Sequence, residues 1–224
     1  MAIEAVNVEA VIWDFGGVFT TSPFEAFNRY EAAHHLPKDL IRTVNATNPL
    51  ENAWALFERA EIGRDGFDAK FLEESTALGH PVRGADVLPL LSGDVRPRMV
   101  EALKLCKAHF KVGCITNNMA QGHGPGMSAT AEGASRSAGI MALFDVIVES
   151  SKAGIRKPDP RIYQIACEQL GVAPASCVYL DDLGVNCKPA AQLGMKAIKV
   201  VTEAQALDDL GAATGLTFPE AVAA

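Results

Sequence analysis

Five short runs of apolar residues, rich in β-branched side chains, recur along the chain. They cover residues 8–13, 112–116, 144–148, 177–181 and 197–201. Apolar and polar side chains do not alternate within them, as they do in strands that have one face in water. Continuous apolar runs are typical of parallel strands that are covered on both faces. We therefore predict five strands of a parallel sheet.

Between these runs, apolar residues recur at helical spacing. Residues 96–109 place Met99 and Leu103 one turn apart, and residues 160–170 carry a similar stripe that ends at Gly171. A glycine directly after such a stripe is a common end of a helix, because it tolerates a left-handed backbone. Strands that alternate with helices predict an α/β fold with a doubly wound parallel sheet.

One long segment departs from this alternation directly after the first strand. Residues 21–92 contain no convincing strand, and we predict that they form an inserted all-helical cap domain. Residues 1–20 and 93–224 would then form the α/β core. The helical patterns of the cap cover residues 24–35, 50–61 and 65–78. Its aromatic residues fall at helical spacings, which favours core packing over a platform for substrate. These residues are Phe24, Phe27, Tyr30, Trp54 and Phe57.

A second irregular stretch, residues 121–137, is rich in glycine, serine and alanine. We predict a mobile loop there. Its glycines do not have the G-x-G-x-x-G spacing, and no G-K-[ST] follows them, so a nucleotide-binding loop is not favoured.

The composition is typical of a soluble globular protein, with 49% hydrophobic and 21% charged residues. The net charge of -7 is spread along the chain, and no basic run indicates nucleic acid or a membrane surface as a partner. No apolar run approaches the ~18 residues that span a bilayer, and the N-terminus does not resemble a signal peptide. The five cysteines form no C-x-x-C pair, which favours reduced thiols in a cytoplasmic protein. Whether the protein is a monomer or a homodimer stays open.

Polar residues stand at the carboxyl ends of three of the predicted strands. They are Asp14 after the first strand, Thr116 with Asn117 after the second, and Asp181 with Asp182 after the fourth. Ligands of parallel sheets bind beyond these strand ends, so we expect the residues to converge on one crevice. Lys157, predicted to open the helix before the fourth strand, adds an ammonium group. Carboxylates, a hydroxyl and an ammonium together suit phosphoryl transfer.

Four segments, in this order, resemble the motifs of the haloacid dehalogenase superfamily. They are Asp14-Phe-Gly-Gly-Val18, the strand-ending Thr116, Lys157-Pro-Asp-Pro-Arg-Ile-Tyr163 and Leu180-Asp-Asp-Leu-Gly-Val-Asn-Cys-Lys-Pro-Ala190. The likeness extends from about residue 8 to residue 201, and the position of the helical segment matches the first cap class of that superfamily. Within it, the chain resembles the N-terminal phosphatase domain of soluble epoxide hydrolase and the N-terminal domain of acyl-CoA dehydrogenase family member 10.

The resemblance implies hydrolysis of a small phosphorylated substrate with Mg²⁺ as cofactor. Asp14 would attack the phosphorus and form an aspartyl phosphate, which divides one difficult displacement into two easier ones. Lys157 would hold Asp14 in line, and Thr116 would donate to the transferred phosphoryl group. Asp181 would either bind a metal-bound water or orient Lys157.

The resemblance also implies which residues bind the ligands. Mg²⁺ would be bound by the carboxylates of Asp14 and Asp182 and by the backbone carbonyl of Gly16. Asn186 would support these ligands as a hydrogen-bond donor. The residues implied for phosphate binding are Gly17, Thr116, Asn117 and Lys157.

Gly16 is a departure from the pattern of the superfamily's phosphatases, which usually carry a second aspartate there as general acid and base. Such a group contributes about 10²–10⁴ in rate. Three consequences are open: a leaving group that needs no proton, a proton supplied by the cap, or slow turnover. The cap candidates are Glu25, His34 and His35, although a surface helix explains them equally well. The alternatives to a phosphatase are a 2-haloacid dehalogenase-type hydrolase and a catalytically weakened phosphate-binding or interaction protein.

Overall fold

The sheet at the centre of the protein has five parallel strands. The computed structural model describes residues 8–118 and 131–218. Its strands are β1 (Ala10–Trp13), β2 (Lys111–Thr116), β3 (Val146–Glu149), β4 (Cys177–Asp181) and β5 (Lys196–Lys199). They lie in the order β3-β2-β1-β4-β5, and every neighbouring pair is parallel. All five predicted strands are confirmed, each with its ends within two residues of the prediction.

The chain between β1 and β2 forms a helical insertion, residues 21–92. It contains α1 (Phe24–Ala33), α2 (Leu40–Ala46), α3 (Ala53–Glu58), α4 (Arg64–Ala77) and α5 (Gly84–Val87), followed by a 3-10 turn over Leu88–Leu91. The three predicted helical patterns are confirmed, although α3 is shorter than predicted. The apolar core of the insertion is a cluster of its own, separate from the two clusters on the sheet.

The aromatic residues of the insertion belong to this core, as the spacing predicted. Phe27, Trp54 and Phe57 are buried, and Phe24 and Tyr30 pack against the same cluster with part of their surface exposed. Their packing holds the insertion together.

The short helix α2 was not predicted, and a distant residue explains how it forms. The buried carboxylate of Glu31 accepts hydrogen bonds from the backbone N–H groups of Asp39 at 2.8 Å and Ile41 at 2.9 Å. Backbone donors at the start of a helix have no partner inside the helix, so a buried acceptor stabilises it. Because Glu31 lies in the preceding helix, the local pattern around α2 gives no sign of it.

Six further α-helices follow the insertion in the described part of the chain, and most of them cover the two faces of the sheet. They are α6 (Pro97–Lys107), α7 (Ala131–Met141), α8 (Ser150–Ala153), α9 (Pro160–Leu170), α10 (Gly184–Gln192) and α11 (Glu203–Thr214). Successive strand residues point to opposite faces, so Trp13 packs with α6, α7 and α11 while Ile12 packs with α9 and α10. The doubly wound α/β prediction is confirmed. None of the helices in residues 8–118 and 131–218 has both the length and the apolar character needed to cross a bilayer.

The prediction of a mobile loop over residues 121–137 is wrong in its second part. Residues 131–137 form the first turns of α7, and residues 121–130 lie outside the described part of the chain. The helix ends in Ile140 and Met141, which are buried in the core of the sheet. The burial of this apolar end stabilises a helix whose glycine- and serine-rich beginning favours a loop on local preference alone.

The two segments that connect the helical insertion to the sheet domain lie side by side. Thr20 and Val95 form an antiparallel bridge, and the N–H of Thr21 donates to the carbonyl of Asp94 at 2.8 Å. Gly93 lies so near that a Cβ on it would stand 2.4 Å from the Thr21 carbonyl oxygen. The two connections therefore form a narrow, hydrogen-bonded crossing.

Candidate active site

The sheet order brings the predicted residues together at one edge. Because β1 lies between β2 and β4, Asp14 follows the central strand, with Thr116 on one side and Asp181 on the other. The N–H of Asp14 still donates to the carbonyl of Leu180 at 2.8 Å, which fixes its backbone against β4. Asp14, Thr116 and Asp181 are all buried.

Lys157 joins the two carboxylates. Its Nζ lies 2.7 Å from Oδ1 of Asp14 and 2.8 Å from Oδ2 of Asp181, and its side chain is 1% exposed. The Lys157 N–H donates to Oδ1 of Asn117 at 2.9 Å, and Nδ2 of Asn117 donates to the Lys157 carbonyl at 3.1 Å. The side chain of Asn117 therefore holds the backbone of Lys157 through both of its polar atoms.

Lys157 does not open the helix before β4, as the sequence suggested. That helix, α9, begins three residues later at Pro160, after Asp159 has accepted a hydrogen bond from the N–H of Arg161 at 2.9 Å. Lys157 instead lies in an irregular segment, where its long side chain can reach across to β1 and β4. The identity of α9 and its end at Gly171, which has a left-handed backbone with φ of 65°, agree with the prediction.

Asp181 is held by donors on several sides. The hydroxyl of Tyr179 donates to Oδ2 at 2.6 Å, the N–H of Leu183 donates to Oδ1 at 2.8 Å, and Nδ2 of Asn186 lies 3.1 Å from both oxygens. Together with Lys157, these donors fix the carboxylate. The contact of Tyr179 was missed by sequence reasoning, although residues two apart in a strand share a face.

The third carboxylate, Asp182, faces the turn that follows β1. Gly17 has φ of +73°, and a Cβ on it would stand 2.1 Å from Oδ2 of Asp182. The N–H of Gly17 donates to Oγ1 of Thr20 at 3.2 Å, and Arg96 donates to its carbonyl at 3.0 Å. Gly16 is exposed, and a Cβ there would meet nothing within 4 Å. The turn is thus tight at Gly17 and open at Gly16.

The donor set of this site suits a hard cation such as Mg²⁺. Asp14, Asp181 and Asp182 each offer a carboxylate oxygen, and these oxygens lie within 4.8 Å of one another. Oxygen ligands, and carboxylates above all, are what Mg²⁺ takes in proteins. One lysine cannot balance three carboxylates, so the site carries an excess of negative charge that a divalent cation would offset.

The acidic crowding is visible in the pKa values of the carboxyl groups. Burial, and after it the neighbouring carboxylates, raise the pKa of Asp14 to about 8, against the lowering effect of Lys157. Burial and Asp181 raise the pKa of Asp182 to about 6. For Lys157, burial lowers the pKa but the two carboxylates more than offset it, so the ammonium form is favoured.

The three candidate proton donors of the cap lie within α1 or just beyond its end. Glu25 is exposed and pairs only loosely with Arg29, at 4.0 Å. His34 is exposed and stacks on Tyr30, with 4.0 Å between ring centroids, and His35 is exposed as well. Their exposure and contacts fit the surface-helix explanation.

A parallel sheet of this order, a helical insertion after β1 and a lysine shared by strand-end aspartates define a hydrolase of the haloacid dehalogenase type. The model of the haloacid dehalogenase-like hydrolase family matches residues 8–194, and the chain belongs to this family. The resemblance inferred from the motifs is therefore confirmed.

Two mouse proteins are among its similar relatives. Acyl-CoA dehydrogenase family member 10 of Mus musculus is 32% identical over 220 residues, which is 95% of this chain and 20% of the relative. Bifunctional epoxide hydrolase 2 of Mus musculus is 36% identical over 207 residues, which is 88% of this chain and 37% of the relative. The chain thus spans well under half the length of these relatives. Shorter matches include proteins whose names describe them as phosphatases.

Solved structures support the fold. A HAD family enzyme of Bacteroides thetaiotaomicron, in complex with magnesium and inorganic phosphate, has a TM-score of 0.55 and 17% identity, covering 86% of this chain and 93% of that one. L-2-haloacid dehalogenase from Xanthobacter autotrophicus, with chloropropionic acid covalently bound, has a TM-score of 0.59 and 20% identity, covering 92% of this chain and 82% of that one. At these identities the likeness shows the fold alone.

Proposed function

We propose that this hydrolase is a Mg²⁺-dependent phosphatase of a small phosphorylated metabolite, acting through an aspartyl phosphate on Asp14. The observation that carries the proposal is the bridge from Asp14 through Lys157 to Asp181, with Asp182 alongside. This arrangement offers a positioned nucleophile, a fixed positive charge and carboxylates for a metal. Phosphoryl transfer depends mainly on such positioning and charge.

The two oxygens of Asp14 have different surroundings, which supports different roles. Oδ1 accepts from the N–H of Phe15 at 2.7 Å and contacts Nζ of Lys157. Among the described residues, no hydrogen bond reaches Oδ2. Oδ2 is therefore the oxygen that is open to an incoming ligand. The bond from phosphorus to the leaving oxygen breaks as the bond from Asp14 to phosphorus forms, and water then hydrolyses the acyl phosphate.

The remaining roles follow from position. Thr116 ends β2 beside Asp14, and its hydroxyl has no hydrogen-bond partner among the described residues, so it is available to the phosphoryl oxygens. Asn117 contributes by holding Lys157; a direct contact of Asn117 or Gly17 with phosphate stays a prediction. The carboxylates of Asp14 and Asp182 and the carbonyl of Gly16 would hold Mg²⁺, which when bound offsets charge on the phosphate.

Gly16 determines which leaving groups suit the enzyme. Lys157 is held by two carboxylates, and Asp181 is held by Lys157 and three other donors. Neither is placed to pass a proton to a leaving oxygen. We expect aryl and acyl phosphates, whose leaving groups depart as weak bases, to react faster than alkyl phosphates. For alkyl phosphates we expect slow to moderate turnover.

The experiment is phosphate release from a panel of acyl, aryl, sugar and lipid phosphates, with Mg²⁺ and with EDTA. The blank is Asp14→Asn, which keeps the shape of the side chain and removes the nucleophile. Release that needs Mg²⁺ and disappears in the variant would support the phosphatase. Release that persists in the variant would overturn it.

The same panel separates the alternatives. A 2-haloacid dehalogenase would release halide from 2-haloacids in EDTA and leave phosphate esters intact. The retained Asp181 and Asp182 argue against it, because they suit a cation that such a reaction does not need. A phosphate-binding or interaction protein would bind phosphate with Mg²⁺ and release none. The cytoplasmic location and the absence of nucleic-acid and membrane partners stay predictions.

A further inference from the structure

The helical insertion touches the sheet domain at a second place besides the crossing at Thr20 and Val95. The carbonyl of Glu58, at the end of α3, accepts from Oγ of Ser150 at 2.7 Å. The carboxylate of Glu58 lies 2.5 Å from Nε of Arg156, in ion-pair contact. Nη1 of Arg156 also donates to the carbonyl of Pro49 at 3.2 Å. Two residues of the core thus hold the segment that leads into α3 and the residue that ends it.

This joint is polar and yet shielded from water. The side chains of Glu58 and Arg156 are 14% and 22% exposed. Burial raises the pKa of Glu58, while Arg156 and Lys157 lower it. A shielded ion pair of this kind differs from an exposed one, since removing one partner leaves the other charge buried and unpaired. The apolar cluster of the insertion shares no residue with the clusters of the sheet. Opening the joint would therefore expose groups that water solvates well.

The joint is attached to the two backbone segments that position Lys157. Arg156 directly precedes Lys157 in the chain. The hydroxyl of Ser150, which donates to Glu58, also accepts from the N–H of Asn118 at 3.0 Å. The neighbour of Asn118 in the chain is Asn117, which binds both backbone groups of Lys157. The same few residues thus support the catalytic lysine and hold the insertion.

We propose that the Glu58–Arg156 ion pair is a latch that holds the helical insertion closed over the Asp14–Lys157 site. The crossing at Thr20 and Val95 is the hinge, and the latch is the contact that breaks when the insertion swings away. Glu58 and Arg156 are positioning residues in this scheme, because they act on the insertion rather than on the reacting atoms. The effect of the latch on turnover rests on the proposed phosphatase function; the latch itself does not.

The first test is hydrogen–deuterium exchange of the Mg²⁺-loaded protein without substrate. We expect Glu58→Gln and Arg156→Gln each to speed exchange by at least about threefold in peptides covering residues 49–58 and 150–157, because loss of one partner from a shielded ion pair costs more than loss of an exposed pair. The effect in the double variant should be smaller than the sum of the two single effects, because both single variants lose the same ion pair and the double variant leaves neither charge unpaired. Arg161→Gln is the matched control, because it removes an ion pair with Asp159 in which both residues belong to the α/β domain and neither forms a hydrogen bond or ion pair with the described residues of the insertion.

Unchanged exchange in both peptides, in single variants that melt like the wild type, would overturn the latch. So would additive effects in the double variant. If a glutamine variant fails to fold, the milder Glu58→Asp replaces it, with faster exchange expected in the same two peptides. This readout needs no activity, so it decides the latch even if no phosphate ester is hydrolysed.

The second test is steady-state kinetics on an aryl phosphate. A weaker latch lowers the closed population, so we expect KM to rise about threefold to tenfold while kcat changes less than twofold or increases through faster product release. Arg161→Gln should leave both constants unchanged. A large fall in kcat at constant KM would instead indicate that Glu58 or Arg156 takes part in the chemical step, and the positioning role would be wrong.

Discussion

Gly17 and Asp182 are so close that any side chain at position 17 would collide with the carboxylate, its Cβ lying 2.1 Å from Oδ2. The backbone of Gly17 is also left-handed, a conformation that costs other residues about 1–2 kcal/mol. The two residues come from the ends of different strands, and their contact sets how Asp182 is presented to the site. This contact leads to the first prediction.

Gly17→Ala is expected to displace Asp182 and lower Mg²⁺ affinity and phosphate release by at least about tenfold, the loss seen when groups that orient metal ligands are altered. Gly16→Ala is the matched control, because a Cβ there meets nothing within 4 Å. Calorimetric titration with Mg²⁺ and phosphate release measure the two effects. Equal affinities in both variants would show that the collision at Gly17 is relieved without consequence for the metal.

Lys157→Met is expected to abolish phosphate release, by about 10³-fold or more, because it leaves Asp14 and Asp181 buried without their shared cation. Lys157→Arg should also lose most activity, since a planar guanidinium cannot occupy the position of a compact ammonium. Release from an aryl phosphate, with circular dichroism to check folding, measures the result. A folded Lys157→Met variant with more than a tenth of wild-type activity would contradict the assigned role.

Gly16→Asp is expected to increase hydrolysis of alkyl phosphates, by up to about 10²–10⁴-fold, because it adds a proton donor where space is open. Aryl phosphates should gain little, since their leaving groups need no proton. Gly16→Asn separates the effect of the proton from that of the side chain's size. If both variants changed alkyl and aryl rates alike, the missing acid would not explain the leaving-group preference.

The raised carboxyl pKa values predict how the metal-free protein responds to pH. The pKa of Asp182 is about 6 in the folded protein and 3.8 as its ordinary value, so between these values the folded state binds more protons than the unfolded state. The free energy of unfolding therefore falls as pH rises through this window, by roughly 1–3 kcal/mol. Asp14, with a pKa of about 8, extends the loss to higher pH.

Thermal melting in EDTA across pH 4 to 8 measures this trend. Mg²⁺ should stabilise the protein more at pH 8 than at pH 5, because it binds the deprotonated carboxylates. Asp182→Asn should flatten the lower part of the curve. A metal-free protein that grew more stable from pH 4 to 6 would contradict the raised pKa of Asp182.

The elements that the sequence predicted are those whose causes are local. Apolar runs mark β1 to β5 because parallel strands are buried on both faces. Gly171 marks the end of α9 because the helix ends in a left-handed backbone conformation that glycine adopts easily. The strand-end positions of Asp14 and Asp181 follow from the same pattern. The parallel topology predicts that these residues lie near one another, but it does not predict their individual hydrogen bonds.

The features that escaped prediction depend on partners distant in the chain. The start of α2 is held by Glu31, and α7 is anchored by burial of Ile140 and Met141. In the sequence, Glu58 is an ordinary glutamate near the end of a helix, and its ion pair with Arg156 is visible only in the folded structure. Neither hydrophobic period nor turn chemistry encodes such pairings, so a single sequence does not reveal them.

The crossing at Thr21 and Asp94 brings the two ends of the helical insertion together at one point of the fold. Hydrogen-bonded neighbours of this kind stand about 4.8 Å apart. The two ends of the insertion are therefore as close together as the two ends of a short hairpin loop. A helical cassette that replaces it needs two ends that meet at that spacing and partners for Ser150 and Arg156 in place of Glu58. If the insertion contacts the substrate, exchange of this one block would change selectivity while the aspartates and the lysine stay as they are.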